Sequence, residues 1–222
     1  MSKAIQEMFD RISGRYDMLD HVLSARRDLA WRRKAVDMLP KRRQKILDLC
    51  GGTGDFLNAA HDAGLATSLS RVADFSFGMM SSLPAKGLPS GIQADALNMP
   101  FKDASFDTVL CGFGMRNLDD LAMGVDEVAR VLKPGGVFLT LEFFRPSTLA
   151  ARAFYGLVAP VALPLVAKAF GSNRDAYEYL VRSTRGFVPV QAYVELLERK
   201  GFRDVRPRSF DLGICYAVVA TK

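Results

Sequence analysis

The strongest constraint on this chain is an apolar run that opens directly onto glycines: Ile46-Leu47-Asp48-Leu49-Cys50-Gly51-Gly52-Thr53-Gly54-Asp55. The apolar residues read as a buried strand, the glycines as a tight turn, and the residues from Asp55 as a helix. Strand, glycine turn and helix in that order form a nucleoside-binding unit of α/β folds. The charge at the turn decides what the unit binds. A dinucleotide sets its pyrophosphate at the helix N-terminus, where backbone N–H groups favour anions. Here Asp55 stands at that spot, and a carboxylate there repels phosphate but suits a ligand carrying a sulfonium and an ammonium. The spacing agrees. Read from Gly52, the G-x-G-x-x-G pattern needs its third glycine at position 57, which is Leu57. The ligand expected on these grounds is S-adenosyl-L-methionine.

Two further carboxylates fit that ligand. Asp74 stands 20 residues after Gly54, at the end of the next strand-like run, where a carboxylate can accept hydrogen bonds from both ribose hydroxyls. It could equally open a helix as its N-cap, since Ser76 follows closely. Asp95, in Ala94-Asp95-Ala96, ends a third strand and can accept from an adenine amine, or simply shape a turn. Gly51, Gly52 and Gly54 let the backbone approach the methionine part of the ligand. The cofactor-binding candidates are therefore Asp48, Gly51, Gly52, Thr53, Gly54, Asp74, Phe75, Asp95 and Ala96.

Strand-like and helix-like segments alternate, which predicts an α/β fold with a mostly parallel sheet. Strands are expected at 45–49, 69–75, 91–94, 107–112 and 137–143, with helices at 55–63 and 121–132. Lys133-Pro134-Gly135-Gly136 should stop the second helix and turn the chain. A helix over 190–200 then precedes an antiparallel hairpin of 204–210 and 214–221. The 222 residues suit a single domain. Residues 1–40 would form a helical cover over the ligand, and 146–187 a helical insertion or substrate lid.

Within that insertion Ala153–Ala167 is an uncharged run broken by Pro160 and Pro164. A membrane span needs about 20 apolar residues, so the run is read either as internal packing or as an apolar lid or interfacial helix. The net charge is +6, and nine Lys or Arg against two Asp fall between Arg26 and Lys45. Such a stretch is either a solvated helix face or a surface that meets anionic lipid or an acidic substrate. Cys50, Cys111 and Cys215 lie far apart in apolar runs, which predicts reduced thiols, no disulfide framework and no zinc site. Met1–Asp10 is polar and mixed in charge, unlike a secretory signal. A cytoplasmic protein is expected, with peripheral contact at the inner membrane surface and a homodimer left open.

The chain resembles the ubiquinone/menaquinone biosynthesis C-methyltransferases. The likeness rests on Met8-Phe9-Asp10-Arg11-Ile12, Arg15-Tyr16-Asp17, Trp31-Arg32-Arg33, the glycine loop, Asp74-Phe75-Ser76-Phe77-Gly78-Met79-Met80 and Ala94 to Phe101. It continues through Phe113-Gly114-Met115-Arg116-Asn117, Val131 to Gly136 and Leu141-Glu142-Phe143, so it spans nearly the whole chain. The common D-x-G-x-G-x-G register would place glycine at position 50, where this chain has Cys50. The segment 79–91, with Pro84, Gly87 and Pro89, looks short and irregular beside the adenine.

The resemblance implies a Rossmann-like class I methyltransferase, a mostly parallel seven-strand sheet with a C-terminal antiparallel hairpin. It implies transfer of a methyl group from S-adenosyl-L-methionine to a ring carbon of a prenylated quinol such as demethylmenaquinol, without a metal. Arg116 and Asn117 would contact substrate, with Arg116 stabilising the developing phenolate or competing Asp119 or Asp120 holding it instead. Tyr16 would cap the cofactor or bond the quinol oxygen, or else pack the N-terminal helix, and His21 is either the candidate proton acceptor or a surface histidine. His61 reads as structural, and Tyr177 as either acceptor-pocket lining or helix packing. Two alternatives stay open: a methyltransferase for another small phenolic or lipid acceptor, and a non-catalytic cofactor-binding subunit of a quinone-synthesis complex. A nucleic-acid partner is disfavoured, because no row of basic and aromatic residues is found.

Overall fold

A central strand buried at every residue, β1 (Ile46–Leu49), organises the molecule. The computed structural model describes residues 3–15, 21, 24, 26–42, 44–161 and 174–222. Helices α1 (Lys3–Ile12) and α2 (Arg27–Val36) precede β1, and α3 (Asp55–Asp62) follows it. Next come β2 (Arg71–Asp74), β3 (Ile92–Gln93), β4 (Phe106–Gly112), α4 (Leu121–Val131) and β5 (Leu132–Glu142). Helices α5 (Leu149–Ala153), α6 (Arg174–Gly186) and α7 (Val190–Arg199) lead to β6 (Arg203–Phe210) and β7 (Cys215–Thr221). The sheet order is β3-β2-β1-β4-β5-β7-β6. The first five strands are parallel, and β7 pairs antiparallel with both β5 and β6.

Alternation along the strands divides the core. Ile46, Leu110 and Leu139 face Trp31, Val36, Phe56 and Leu57 of α2 and α3. Leu47, Val109 and Phe138 face the other way, onto Val125 and Val128 of α4 and Tyr193 and Leu197 of α7. Both faces are thus covered, as a parallel sheet requires. The Tyr193 hydroxyl, fully buried, meets Thr140 Oγ1 at 2.8 Å. Helix α4 begins where Asp120 Oδ1 accepts the Met123 N–H at 2.9 Å.

Two expectations need adjusting. Lys133-Pro134-Gly135-Gly136 does not separate α4 from a strand starting at Val137. It lies inside β5 as a wide bulge, since Leu132 pairs with Phe106 and Val137 with Thr108. Gly135 takes the left-handed conformation (φ 72°), and the bulge is stitched to the chain's end by Gly135 N–H to Lys222 O (3.0 Å) and Lys222 N–H to Gly136 O (2.9 Å). The third strand shrinks to Ile92–Gln93. The irregular segment before it consists of short 3₁₀ turns, Gly78–Ser82 and Pro84–Lys86, as its prolines and glycines imply.

Candidate active site

The order reverses between β1 and β4, and at their carboxyl ends lies an open crevice. This is where open α/β sheets bind ligands. The turn after β1 forms its floor. Gly52 (φ 52°) and Gly54 (φ 80°) are left-handed, and so is Cys50 (φ 52°), where the common register has glycine. A non-glycine there costs about 1 kcal/mol or more of backbone strain.

Three of the predicted carboxylates reach this turn. Asp48 is fully buried, and its Oδ2 accepts the Leu57 N–H at 2.9 Å. Its Oδ1 is buried with no hydrogen-bond partner, and Asp48 lines the crevice. Burial raises its pKa to about 7, against the pull of the Leu57 N–H and the Arg32 charge. Asp74 also lines the crevice and accepts from Gly52 N–H (2.9 Å) and Ser76 N–H (2.8 Å). Burial raises it to about 6. Asp55 is different: Lys86 Nζ lies 2.6 Å from its Oδ1. The carboxylate with the spare acceptor is therefore Asp48, a refinement of the reading that placed the weight on Asp55.

Gly51, Gly52, Thr53, Asp48 and Asp74 line the crevice together, while Gly54 holds the turn as N-cap of α3. Phe75, Asp95 and Ala96 fall outside that lining. The Phe75 carbonyl accepts from Gln6 and Gln93, and Asp95 Oδ1 takes the Leu97 N–H at 3.0 Å, the turn-shaping role. Helix α1 brings Phe9 into the crevice wall. Asp10 fastens α1 through Ser76 Oγ and the Gly78 N–H, which accounts for the Phe-Asp pair.

The opposite wall is the turn Phe113-Gly114-Met115-Arg116-Asn117 after β4. Phe113 (φ 58°) stacks on Phe143 with ring centres 4.6 Å apart. Arg116 does not face the crevice. Its Nη1 donates to Glu142 Oε1 at 2.7 Å and to Phe113 O at 2.6 Å, and its backbone N–H reaches Glu142 Oε2 at 3.2 Å. Glu142 is fully buried; burial pushes its pKa up while Arg116 pulls it down. Glu142 is thus a partner of the guanidinium, and Asp120 caps α4. Asn117 does line the crevice. Its Nδ2 donates to Phe113 O at 3.3 Å, and its Oδ1 accepts from the Tyr179 hydroxyl at 2.7 Å. Tyr179 comes from α6 in the insertion, and burial raises its pKa, so it stays a donor.

Glu142 and Tyr179 were not among the predicted site residues. An acid inside the apolar Val137-to-Phe144 run signals the first, and the second tyrosine of Tyr177-Glu178-Tyr179 the second. Tyr16 and the Tyr177 side chain lie outside the described residues. His21 sits with Nδ1 2.9 Å from Asp28 Oδ2, and Asp28 also accepts from Ser24 Oγ and Arg32 Nη1, each at 2.6 Å. His21, Asp28 and the crevice-lining Asp55 have side-chain atoms within 4.8 Å of one another. His61 is exposed at the end of α3.

These features fit S-adenosyl-L-methionine: an orphaned buried carboxylate oxygen for an ammonium, and a second carboxylate beyond the turn for ribose hydroxyls. Sheet order and crevice define a class I methyltransferase. Solved methyltransferases share the fold: one from Thermotoga maritima has a TM-score of 0.70 at 19% identity, covering 97% of this chain and 99% of that one. Another from Aquifex aeolicus scores 0.59 at 15% identity, covering 86% and 88%. Residues 1–222 match the ubiE/COQ5 methyltransferase family, and the chain belongs to it. The cofactor is S-adenosyl-L-methionine. The chain is 34% identical over 230 residues to a Bacteroides fragilis protein named demethylmenaquinone methyltransferase, covering 100% of this chain and 93% of that one. A Staphylococcus aureus protein of the same name is 34% identical over 215 residues, covering 95% and 89%.

Proposed function

We propose that residues 1–222 act as one domain that methylates a ring carbon of a prenylated quinol of the demethylmenaquinol kind. The observation that carries the reading is Asn117, which lines the cofactor crevice and is held by Tyr179 of the insertion. Acceptor segment and donor crevice meet at that side chain. The two relatives bearing the demethylmenaquinone methyltransferase name support the substrate class.

The chemistry follows from the residues. Bound S-adenosyl-L-methionine supplies a methyl group already activated on a sulfonium. Asp48 would receive its ammonium and Asp74 its ribose hydroxyls. An aromatic carbon is a poor nucleophile until a neighbouring ring hydroxyl loses its proton. Asn117 Nδ2 is the donor beside which that oxygen would sit, with the side chain held by the Tyr179 hydroxyl, and Arg116, pinned by Glu142, shapes the turn and lends positive potential from behind it. His21, oriented by Asp28, takes the proton. Phe9 of α1, in the crevice wall, would help exclude water from reacting atoms that must lie about 3–3.5 Å apart.

The test is incubation with a radiolabelled methyl donor and short-chain demethylmenaquinol. Label on the acceptor's ring carbon is the expected result. Label on oxygen, or turnover only with unrelated phenols, would replace the substrate class. Tight cofactor binding without turnover on any quinol would make the chain a non-catalytic subunit.

A further inference from the structure

A helix packed on a protein core normally buries its apolar stripe and shows its charges. The stretch 149–161 does the reverse. Ala151, Tyr155 and Ala159, four residues apart, form its buried side, which packs beside Leu180 and Val181 of α6. Leu149, Leu157 and Val161 are 85%, 74% and 61% exposed. Arg152 is the one charge in the stretch. Leu212, 76% exposed, joins this face from the hairpin tip between β6 and β7, because Thr148 Oγ1 donates to its carbonyl at 2.7 Å.

The place of this face matters as much as its composition. Tyr216 pairs with Glu142 in the antiparallel β5–β7 ladder, so the tip lies at the carboxyl ends of β1, β4 and β5, the end that holds the crevice. Its charged edge is basic. Arg152 on the stretch, Arg145 just before it and Arg26 are exposed, while exposed Arg27 is paired with Asp211, which also accepts from Trp31.

We propose that this apolar, arginine-edged face docks the crevice end of the protein on an anionic lipid bilayer. Exposed leucines enter the boundary between headgroups and acyl chains, and the arginines meet anionic headgroups. The stretch lies in the interface and does not cross it, since no helix among the described residues is long and apolar enough to span. Its charge favours lipid over a second copy, because two such faces would bring arginines against arginines. The proposal rests on the prenylated-acceptor reading: docking would set the crevice mouth over the layer that holds the prenyl chain.

The test uses the full chain and vesicles of phosphatidylcholine with or without phosphatidylglycerol, with Leu157→Asp and Leu212→Asp as exposed-site variants. Wild type should co-sediment with the phosphatidylglycerol vesicles, and the double variant should bind at least about tenfold more weakly. Methylation of a short, water-soluble quinol should be unchanged in that variant, while methylation of a long-chain quinol held in vesicles falls. Absence of binding to anionic vesicles, or equal binding by the variant, overturns the proposal. So does a dimer in analytical ultracentrifugation that the same substitutions dissociate. Failure of wild type to methylate the soluble quinol would strike the substrate reading instead, and vesicle binding would still judge the docking face.

Discussion

Replacing Asp48 with asparagine should stabilise the cofactor-free protein and cripple cofactor binding at once. Burial raises the Asp48 carboxyl from 3.8 to about 7. A group raised on folding favours the folded state fully below its unfolded pKa, and that benefit is lost as pH climbs through the folded value. At pH 8 the protein therefore carries a buried charge, at a cost of about 4 kcal/mol by the usual conversion of about 1.4 kcal/mol per unit. Asp48→Asn removes the charge and keeps an acceptor for the Leu57 N–H, though a neutral acceptor returns about 1–2 kcal/mol less. The net gain is about 2 kcal/mol, or a rise in Tm of about 4–8 °C for a chain of this size. At pH 5 Asp48 is protonated in the folded protein but still mostly ionised in the unfolded chain, so the gain should shrink, and it should vanish only as pH falls below 3.8. On the proposed placement of the ligand ammonium at the orphaned Oδ1, the variant should bind S-adenosylhomocysteine about 30- to 150-fold more weakly, a loss of about 2–3 kcal/mol. Wild-type affinity should fall as pH drops below 7, with Asp74 adding to the slope near 6. Thermal unfolding at pH 5 and 8, with titration calorimetry at both, measures all of this. An asparagine variant that melts lower at pH 8, or binds as wild type does, refutes the reasoning.

Three other substitutions separate the roles of the crevice walls. Asp74→Ala should nearly abolish S-adenosylhomocysteine binding in calorimetry, since it removes charge-assisted bonds of about 1.5–3 kcal/mol each and frees the Gly52 turn. Tyr179→Phe should leave that affinity intact and lower kcat/KM for the quinol up to about tenfold, the value of one neutral hydrogen bond; a cofactor-binding defect instead would deny it an acceptor-side role. Glu142→Ala should strand the Arg116 guanidinium in the interior and cost about 3–5 kcal/mol, read as a fall in Tm of about 10 °C or more. An unchanged Tm would mean the pair holds nothing.

Local chemistry made much of this protein legible. The run into Gly51 and Gly52 announced β1, its turn and the crevice floor, because strand periodicity and backbone freedom are properties of adjacent residues. Asp48 and Asp74, which line that crevice, stand out for the same reason. What escaped was decided by residues far apart in sequence. Lys133 to Gly136 has turn chemistry, but Lys222 draws it into β5 as a bulge. Asp55 looked like a free carboxylate at a helix N-terminus until Lys86 folded back onto it. Arg116 resembled a substrate contact, and only the sheet brings Glu142 beneath it. Tyr179 reaches Asn117 across 62 residues of sequence. Cys50 is the instructive middle case: the motif register marked the position as one for glycine, and the backbone there is left-handed all the same.

Titration of the cofactor-free protein at pH 8 with S-adenosylmethionine and, separately, with NAD addresses the account at its root. Carboxylates around a glycine turn that hold a cationic methyl donor predict saturable binding of the first and no heat from the second. Saturable NAD binding, with none for the sulfonium ligand, would contradict it.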